Sequence, residues 1–315
     1  MIHVEGLTRK YGSFTAVDDI SFECRQGTVT GFLGPNGAGK TTTMRVMVGL
    51  TPATHGQVTI GGHHYREIPN PGRHVGVLLD ASAQHAGRTG REVLLLSSRT
   101  MGLPDSRVEE MLERVSLEPA EAKRTVRNYS LGMRQRLGIA NALLGDPQVL
   151  ILDEPANGLD PAGIRWMRDL LKGYAAQGGT VLLSSHLLHE VEQVADEMVV
   201  IGRGRIVARG TRAQLLRSAS GGLATTLVTA VDNEQLHRAL TVKGIEATAA
   251  GASLRVSAEP IDVGRVAAEG SIVLTDLRAG NEDGLEELFL QLTADSQREG
   301  APQQPAQPMP EGVNP

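Results

Sequence analysis

The sequence predicts an α/β protein: a mostly parallel sheet covered by helices on both faces, followed by a smaller α+β domain. Three observations carry this. Short apolar, β-rich runs alternate with amphipathic helical patterns up to about residue 217, the pattern of strand–helix units that feed a parallel sheet. The small, flexible run Ser218-Ala219-Ser220-Gly221-Gly222 interrupts that pattern and reads as a boundary. Beyond it, shorter strands and helices alternate in a different order.

In the first part, residues 28–33 read as a buried strand and 40–49 as the helix that follows it. Further short strands are expected at 74–79, 149–153, 180–185 and 197–201, with helices at 108–115, 131–144 and 164–176. In the second part the expected elements are a strand at 226–230, a helix at 234–240, strands at 246–249 and 254–256 joined by a glycine-containing turn, a helix at 261–268 and a strand at 272–277. That β-α-β-β-α-β order is the split, ferredoxin-like arrangement. A last helix is expected at 285–292. From residue 294 onward Pro and Gln dominate, and a segment with so little to bury is expected to be disordered. The expected organisation is a large domain over 1–217, a linker over 218–224, a small domain over 225–293 and a tail over 294–315.

A chain of 315 residues can bury its own core. Its single cysteine, Cys24, forms no internal disulfide, which fits a reducing compartment. The net charge is −5 and aromatic residues make up 3%, so neither the basic surface nor the stacking platforms of a nucleic-acid binder are present. No apolar run approaches the roughly 20 residues that span a bilayer. The first residues lack the basic-then-apolar pattern of a secretory leader. A soluble chain is expected, one that would need a separate anchor to work at a membrane.

The run Gly34-Pro35-Asn36-Gly37-Ala38-Gly39-Lys40-Thr41 fits G-x-x-x-x-G-K-[ST] between a buried strand and a helix. The chemistry needs these residue types. Glycines let the backbone take positive φ and turn successive N–H groups inward, forming an anion nest at the positive end of the helix. Lys40 is placed to reach the outer phosphates, and the Thr41 hydroxyl to ligate Mg²⁺; Thr42 follows in the same turn. A chance match is on the order of one per cent over the whole chain, and the strand–loop–helix context lowers it again.

The apolar run at 149–152 ends in Asp153-Glu154-Pro155, which puts two acids at the C-terminal edge of a sheet, where α/β proteins bind ligands. Side chains alternate along a strand, so the two acids are expected to have separate tasks. Asp153 suits Mg²⁺ and its water shell. Glu154 suits a general base acting on the attacking water. Taken alone, such a pair is more often a loop start or a helix cap; the phosphate loop changes that balance. His186 follows the strand at 180–185, in reach of a γ-phosphate or the water.

Tyr129-Ser130-Leu131-Gly132-Met133-Arg134-Gln135-Arg136 opens a helix just before the acid strand. It resembles the signature motif of ATP-binding cassette (ABC) proteins, usually written L-S-G-G-Q and here Y-S-L-G-M, a variant similar to that of drug- and bacteriocin-export ATPases. The other motifs match in the family's order over residues 2–217. Tyr11 stands where the adenine-stacking aromatic does, Asn157-Gly158-Leu159-Asp160 resembles the D-loop, and His186 the H-loop switch. One departure is at 80: the strand at 75–79 resembles the lead-in to the Q-loop, but Asp80 stands in place of glutamine, and Gln84 follows four residues on.

The resemblance implies a core with a helical subdomain and an antiparallel β edge, binding ATP with Mg²⁺. It implies that two nucleotide domains pair head to tail. Each ATP would lie between one phosphate loop and the other subunit's Ser130–Gly132 segment. A helix start capped by Ser130 offers free N–H groups for that task. One copy of each motif then requires a homodimer or pairing with a related ATPase subunit. Asp80 would stand near the metal and alter coupling. The implied role is the energy-supplying subunit of a drug, antibiotic or peptide exporter, peripheral on the cytoplasmic face of the membrane, beside a separately encoded permease and without nucleic acid. The ending Asp283-Gly284-Leu285-Glu286-Glu287-Leu288-Phe289 also resembles those exporters. The alternatives are a soluble ABC ATPase acting in regulation, on ribosomes or on DNA, and a non-hydrolysing sensor. The first usually carries two cassettes or a coiled coil; the second would lack Glu154.

Overall fold

The computed structural model describes residues 1–219 and 225–279. Its first two strands, β1 (Ile2–Tyr11) and β2 (Phe14–Cys24), form a hairpin, and β3 (Val29–Leu33) starts the central sheet. Then come α1 (Lys40–Met47), β4 (His55–Ile60), β5 (Val75–Leu78), α2 (Gly90–Thr100), α3 (Ser106–Arg114), α4 (Pro119–Ala122) and α5 (Leu131–Leu143). The core closes with β6 (Val149–Leu152), α6 (Pro161–Ala176), β7 (Thr180–Ser185), α7 (Leu188–Glu192), β8 (Glu197–Gly202), β9 (Arg205–Gly210) and α8 (Arg212–Ala219).

The six-stranded sheet has the order β5-β6-β7-β3-β8-β9. Strands β5 to β8 run parallel and only β9 is antiparallel, to β8. Its parallel strands are buried on both faces, as parallel strands between layers must be, whereas the edge strand β9 is exposed or half-buried. In β6, Leu150 and Leu152 pack into the core shared with α2, α3, α5 and α6, while Val149 and Ile151 face the core shared with α1 and the hairpin. A three-stranded antiparallel sheet, β2-β1-β4, covers that second face. Helix α2 has a sequence signature that the periodicity reading passed over: Thr89 accepts from the Glu92 N–H, and the Glu92 carboxylate accepts from the Thr89 N–H, a capping box.

After residue 224 come β10 (Thr226–Ala230), α9 (Asn233–Val242), β11 (Ala247–Ala250), β12 (Ser253–Val256), α10 (Pro260–Glu269) and β13 (Leu274–Ala279). They form an antiparallel sheet of order β11-β12-β10-β13. Its buried face, Val228, Leu254 and Val256, packs on Leu236, Leu240 and Val263 of the two helices. This is the β-α-β-β-α-β order read from the sequence. The expected helix at 285–292, the tail from 294 and most of the expected linker lie outside the described residues.

The topology positions the site. Strands β6, β7 and β3 are adjacent, and their C-terminal ends lead into Asp153-Glu154, His186 and the phosphate loop. Three motifs far apart in sequence thus meet at one sheet edge.

Candidate active site

The phosphate loop wraps the N-terminus of α1. Gly37 has φ +80° and Gly39 φ +109°, conformations open to glycine and strained for other residues. A Cβ on Gly39 would also sit 2.6 Å from the Ala16 carbonyl oxygen, so space as well as φ demands glycine there. Lys40 is buried, 6% exposed. Its ammonium donates to the Gly34 oxygen at 2.6 Å and the Pro35 oxygen at 3.4 Å, and lies 3.4 Å from Glu154 Oε1. A cavity of about 430 Å³ opens over the loop. Pro35, Asn36, Gly37, Gly39, Lys40, Thr41, Thr42 and Glu154 line it, joined by Phe14, Thr15, Ala16, Arg203 and Gly204. Gly34 and Ala38 do not line it: the Gly34 carbonyl accepts from Lys40, and Ala38 is buried.

The two acids separate, by a means the strand alternation did not supply. Strand β6 ends at Leu152, and Glu154 takes φ +47°, so a left-handed turn swings its side chain away from Asp153. Asp153 accepts from Thr41 Oγ1 at 2.6 Å and from the Ser184 hydroxyl. Glu154 Oε2 lies 2.8 Å from His186 Nδ1. The Glu154 N–H donates to Ser184 Oγ at 2.9 Å, and its carbonyl accepts from Gln135 Nε2 at 2.9 Å. Ser184 carried no motif signal, and Gln135, though it lies in the signature run, had no role assigned from sequence; packing brings both to Glu154.

Burial pushes the Asp153 carboxyl above the usual carboxylate range; the Ser184 and Thr41 hydrogen bonds oppose this, the Glu154 charge adds to it, and Lys40 opposes it. A carboxyl that holds its proton more tightly when folded loses stability as pH rises from its ordinary value through the raised one. Asp153→Asn is therefore expected to raise the thermal midpoint at neutral pH, and to flatten its fall between acid and neutral pH. Its hydrolysis should drop by about 10²-fold. Calorimetry across pH and a phosphate-release assay check the pair; an unchanged midpoint with normal turnover would refute it.

Ser130 caps α5, its hydroxyl accepting from the Met133 N–H at 3.2 Å, and Gly132 packs where a Cβ would meet the Gly158 oxygen at 2.8 Å. Neither lines the cavity of its own chain. Tyr11 does not line it either: the Arg9 guanidinium sits 4.3 Å over its ring, and Phe14, its hairpin partner, is the aromatic at the cavity wall. Asp80 is exposed and closes its own turn, accepting from the Ser82 N–H at 2.7 Å; it is not brought to the cavity. Gln84 Oε1 is buried without a hydrogen-bond partner among the described residues.

A phosphate loop on a parallel sheet, a hydroxyl–carboxylate pair beside it and a carboxylate–histidine pair across it define a P-loop nucleoside triphosphatase. Residues 17–157 match the ABC transporter family. The bacitracin transport ATP-binding protein BcrA of Bacillus licheniformis is 43% identical over 66% of this chain and 68% of its own length. The daunorubicin resistance ATP-binding protein DrrA3 of Streptomyces coeruleorubidus is 35% identical over 94% of this chain and 97% of its own. Among solved structures, the ATP-binding subunit of an ABC transporter is 29% identical with a TM-score of 0.64, covering 70% of this chain and 94% of that one. The dimeric ABC transporter cassette MJ0796 shares the fold, with a TM-score of 0.62 at 20% identity over 67% of this chain and 98% of its own. The chain belongs to the ABC transporter ATP-binding proteins, and its activity is that family's ATP hydrolysis.

Proposed function

We propose that this chain is the ATP-hydrolysing subunit of an exporter, working as a dimer against a separately encoded membrane permease and moving an antibiotic or drug-like compound. The observation that carries the reading is the match to a daunorubicin resistance ATP-binding protein over 94% of this chain. That match takes in the small C-terminal sheet as well as the ATPase core. No helix among the described residues is long and apolar enough to cross a membrane, so the transport path would be supplied by the permease.

The oxygen donors fit Mg²⁺. Thr41 Oγ1 and the Asp153 carboxylate are 2.6 Å apart, hard ligands of the kind that ion takes. When bound, Mg²⁺ neutralises charge on the phosphates. The chain's own groups do the rest. Loop N–H groups and Lys40 hold the phosphates. Glu154 accepts a proton from the water that attacks the γ-phosphorus, the bond to the bridging oxygen breaks, and ADP leaves as that oxygen's carrier. His186 holds the Glu154 carboxylate in line for this. Dimerisation would bring Ser130 and Gly132 of the second chain over the cavity, which agrees with their absence from the cavity lining of their own chain. The dimeric cassettes among the fold relatives support that reading.

Export is tested in inverted membrane vesicles that carry a separately expressed polytopic permease together with this chain. The expected result is ATP-dependent accumulation of a cytotoxic amphiphile only when both proteins are present. Accumulation that is independent of this chain, or no stimulation of its ATPase by those membranes, would refute the exporter reading.

A further inference from the structure

Gln135 lies just over one turn into α5 and is 4% exposed. Its Nε2 donates to the Glu154 carbonyl oxygen at 2.9 Å. Its Oε1 is buried with no hydrogen-bond partner among the described residues. A buried amide with one orphaned atom is a poor choice for stability: an apolar side chain of similar volume would leave nothing unpaired. The residue at this position is therefore explained by what its donor holds, which is the backbone of Glu154.

That backbone needs holding. With φ +47°, Glu154 occupies the left-handed region, which a non-glycine residue keeps only where its surroundings over-determine it. Two side chains do so. Ser184 takes the N–H at 2.9 Å, and Gln135 donates to the carbonyl at 2.9 Å, sharing it with the Asn157 backbone N–H at 3.2 Å. The carboxylate beyond is aimed between Lys40 Nζ at 3.4 Å and His186 Nδ1 at 2.8 Å. A small rotation of the turn would move that carboxylate by a large fraction of an ångström, and misplacement of about 1 Å is enough to lose on the order of 10²-fold in rate.

We propose that Gln135 is a positioning residue, whose amide sets the Glu154 turn from helix α5 and so fixes where the carboxylate meets the attacking water. This rests on the reading of Glu154 as the base. It predicts a change in turnover without a change in nucleotide binding, because the phosphate contacts of the loop and Lys40 do not pass through Gln135.

The test uses the full chain with ATP and Mg²⁺. Gln135→Leu keeps the volume and removes the donor. Its kcat is expected to fall about tenfold, the scale of one lost hydrogen bond, with KM changed by less than about twofold. Its thermal midpoint should stay level or rise, since the orphaned oxygen has gone. Gln135→Glu, equal in size and with an acceptor in place of the donor, should lose at least as much kcat, and serves if the leucine variant folds poorly. On a Glu154→Gln background, Gln135→Leu should leave the residual rate unchanged, because the base it positions is already missing. Normal kcat in both single variants overturns the proposal. So does a kcat loss that tracks a falling thermal midpoint, or one that multiplies in full with Glu154→Gln. Normal turnover in Glu154→Gln alone would instead remove the base assignment on which the proposal stands.

Discussion

Glu154→Gln is expected to slow ATP turnover by about 10²–10⁴-fold, the range that a general base contributes, while leaving ATP binding within a few-fold of wild type. The geometry separates the two effects. The substitution preserves the length and shape of the side chain, so the left-handed turn held by Ser184 and Gln135 persists. Lys40 loses a carboxylate at 3.4 Å but keeps the Gly34 and Pro35 carbonyls. The amide presents a neutral oxygen to the water and accepts no proton from it. His186 still finds an acceptor, so its ring stays in place. The variant should accumulate as an ATP-bound dimer, seen as an ATP-dependent shift in size-exclusion elution. Phosphate release at a near-normal rate would remove Glu154 from the role of base.

The second large effect is a rescue. Lys40→Ala removes the buried ammonium beneath the phosphates, and Ser130→Asp places a carboxylate where the proposed dimer brings the partner's γ-phosphate. Aspartate caps a helix as well as serine does, so α5 should stay intact while charge repulsion blocks the phosphate. Each variant alone is expected to retain less than about one per cent of wild-type turnover, since each homodimer carries the defect in both sites. In an equal mixture, half of the dimers pair one of each. One of their two sites then has an intact loop from one chain and an intact Ser130 from the other. About a quarter of wild-type activity should return if the sites work independently. A mixture as inactive as its parts would refute the head-to-tail composite site. Equal activity of Ser130→Asp and wild type would refute the contact itself.

Much of the site was legible because its parts are local. The phosphate loop is a contiguous run, and its glycines, lysine and threonine each have a backbone or charge reason to stand where they do. The strands at 149–152 and 180–185 are continuous apolar stretches that end in polar residues, so their edges could be placed to within a residue or two. Helix α5 announced itself by the Ser130 cap. The hairpin β1–β2 did not. Its alternation is interrupted by register shifts between Val4 and Leu7, Leu7 and Arg9, and Arg9 and Lys10, and each shift changes which residues face the core. Without that register the residue at the cavity wall could not be chosen between Tyr11 and Phe14. Arg9 settles it in the fold by covering the Tyr11 ring.

The sequence by itself determined the chemistry on offer: an anion nest, a lysine, a hydroxyl, two carboxylates and a histidine, each at the end of a strand or the start of a helix. Tertiary structure decided which of these act on one another. Thr41 meets Asp153 across 112 positions of chain and His186 meets Glu154 across 32, because β6, β7 and β3 lie side by side in an order that no local periodicity encodes. The left-handed turn at Glu154, which parts the two acids, and the Gln135 amide that holds it belong to the same class. Both depend on packing between elements distant in sequence, and only the assembled sheet and helices supply it.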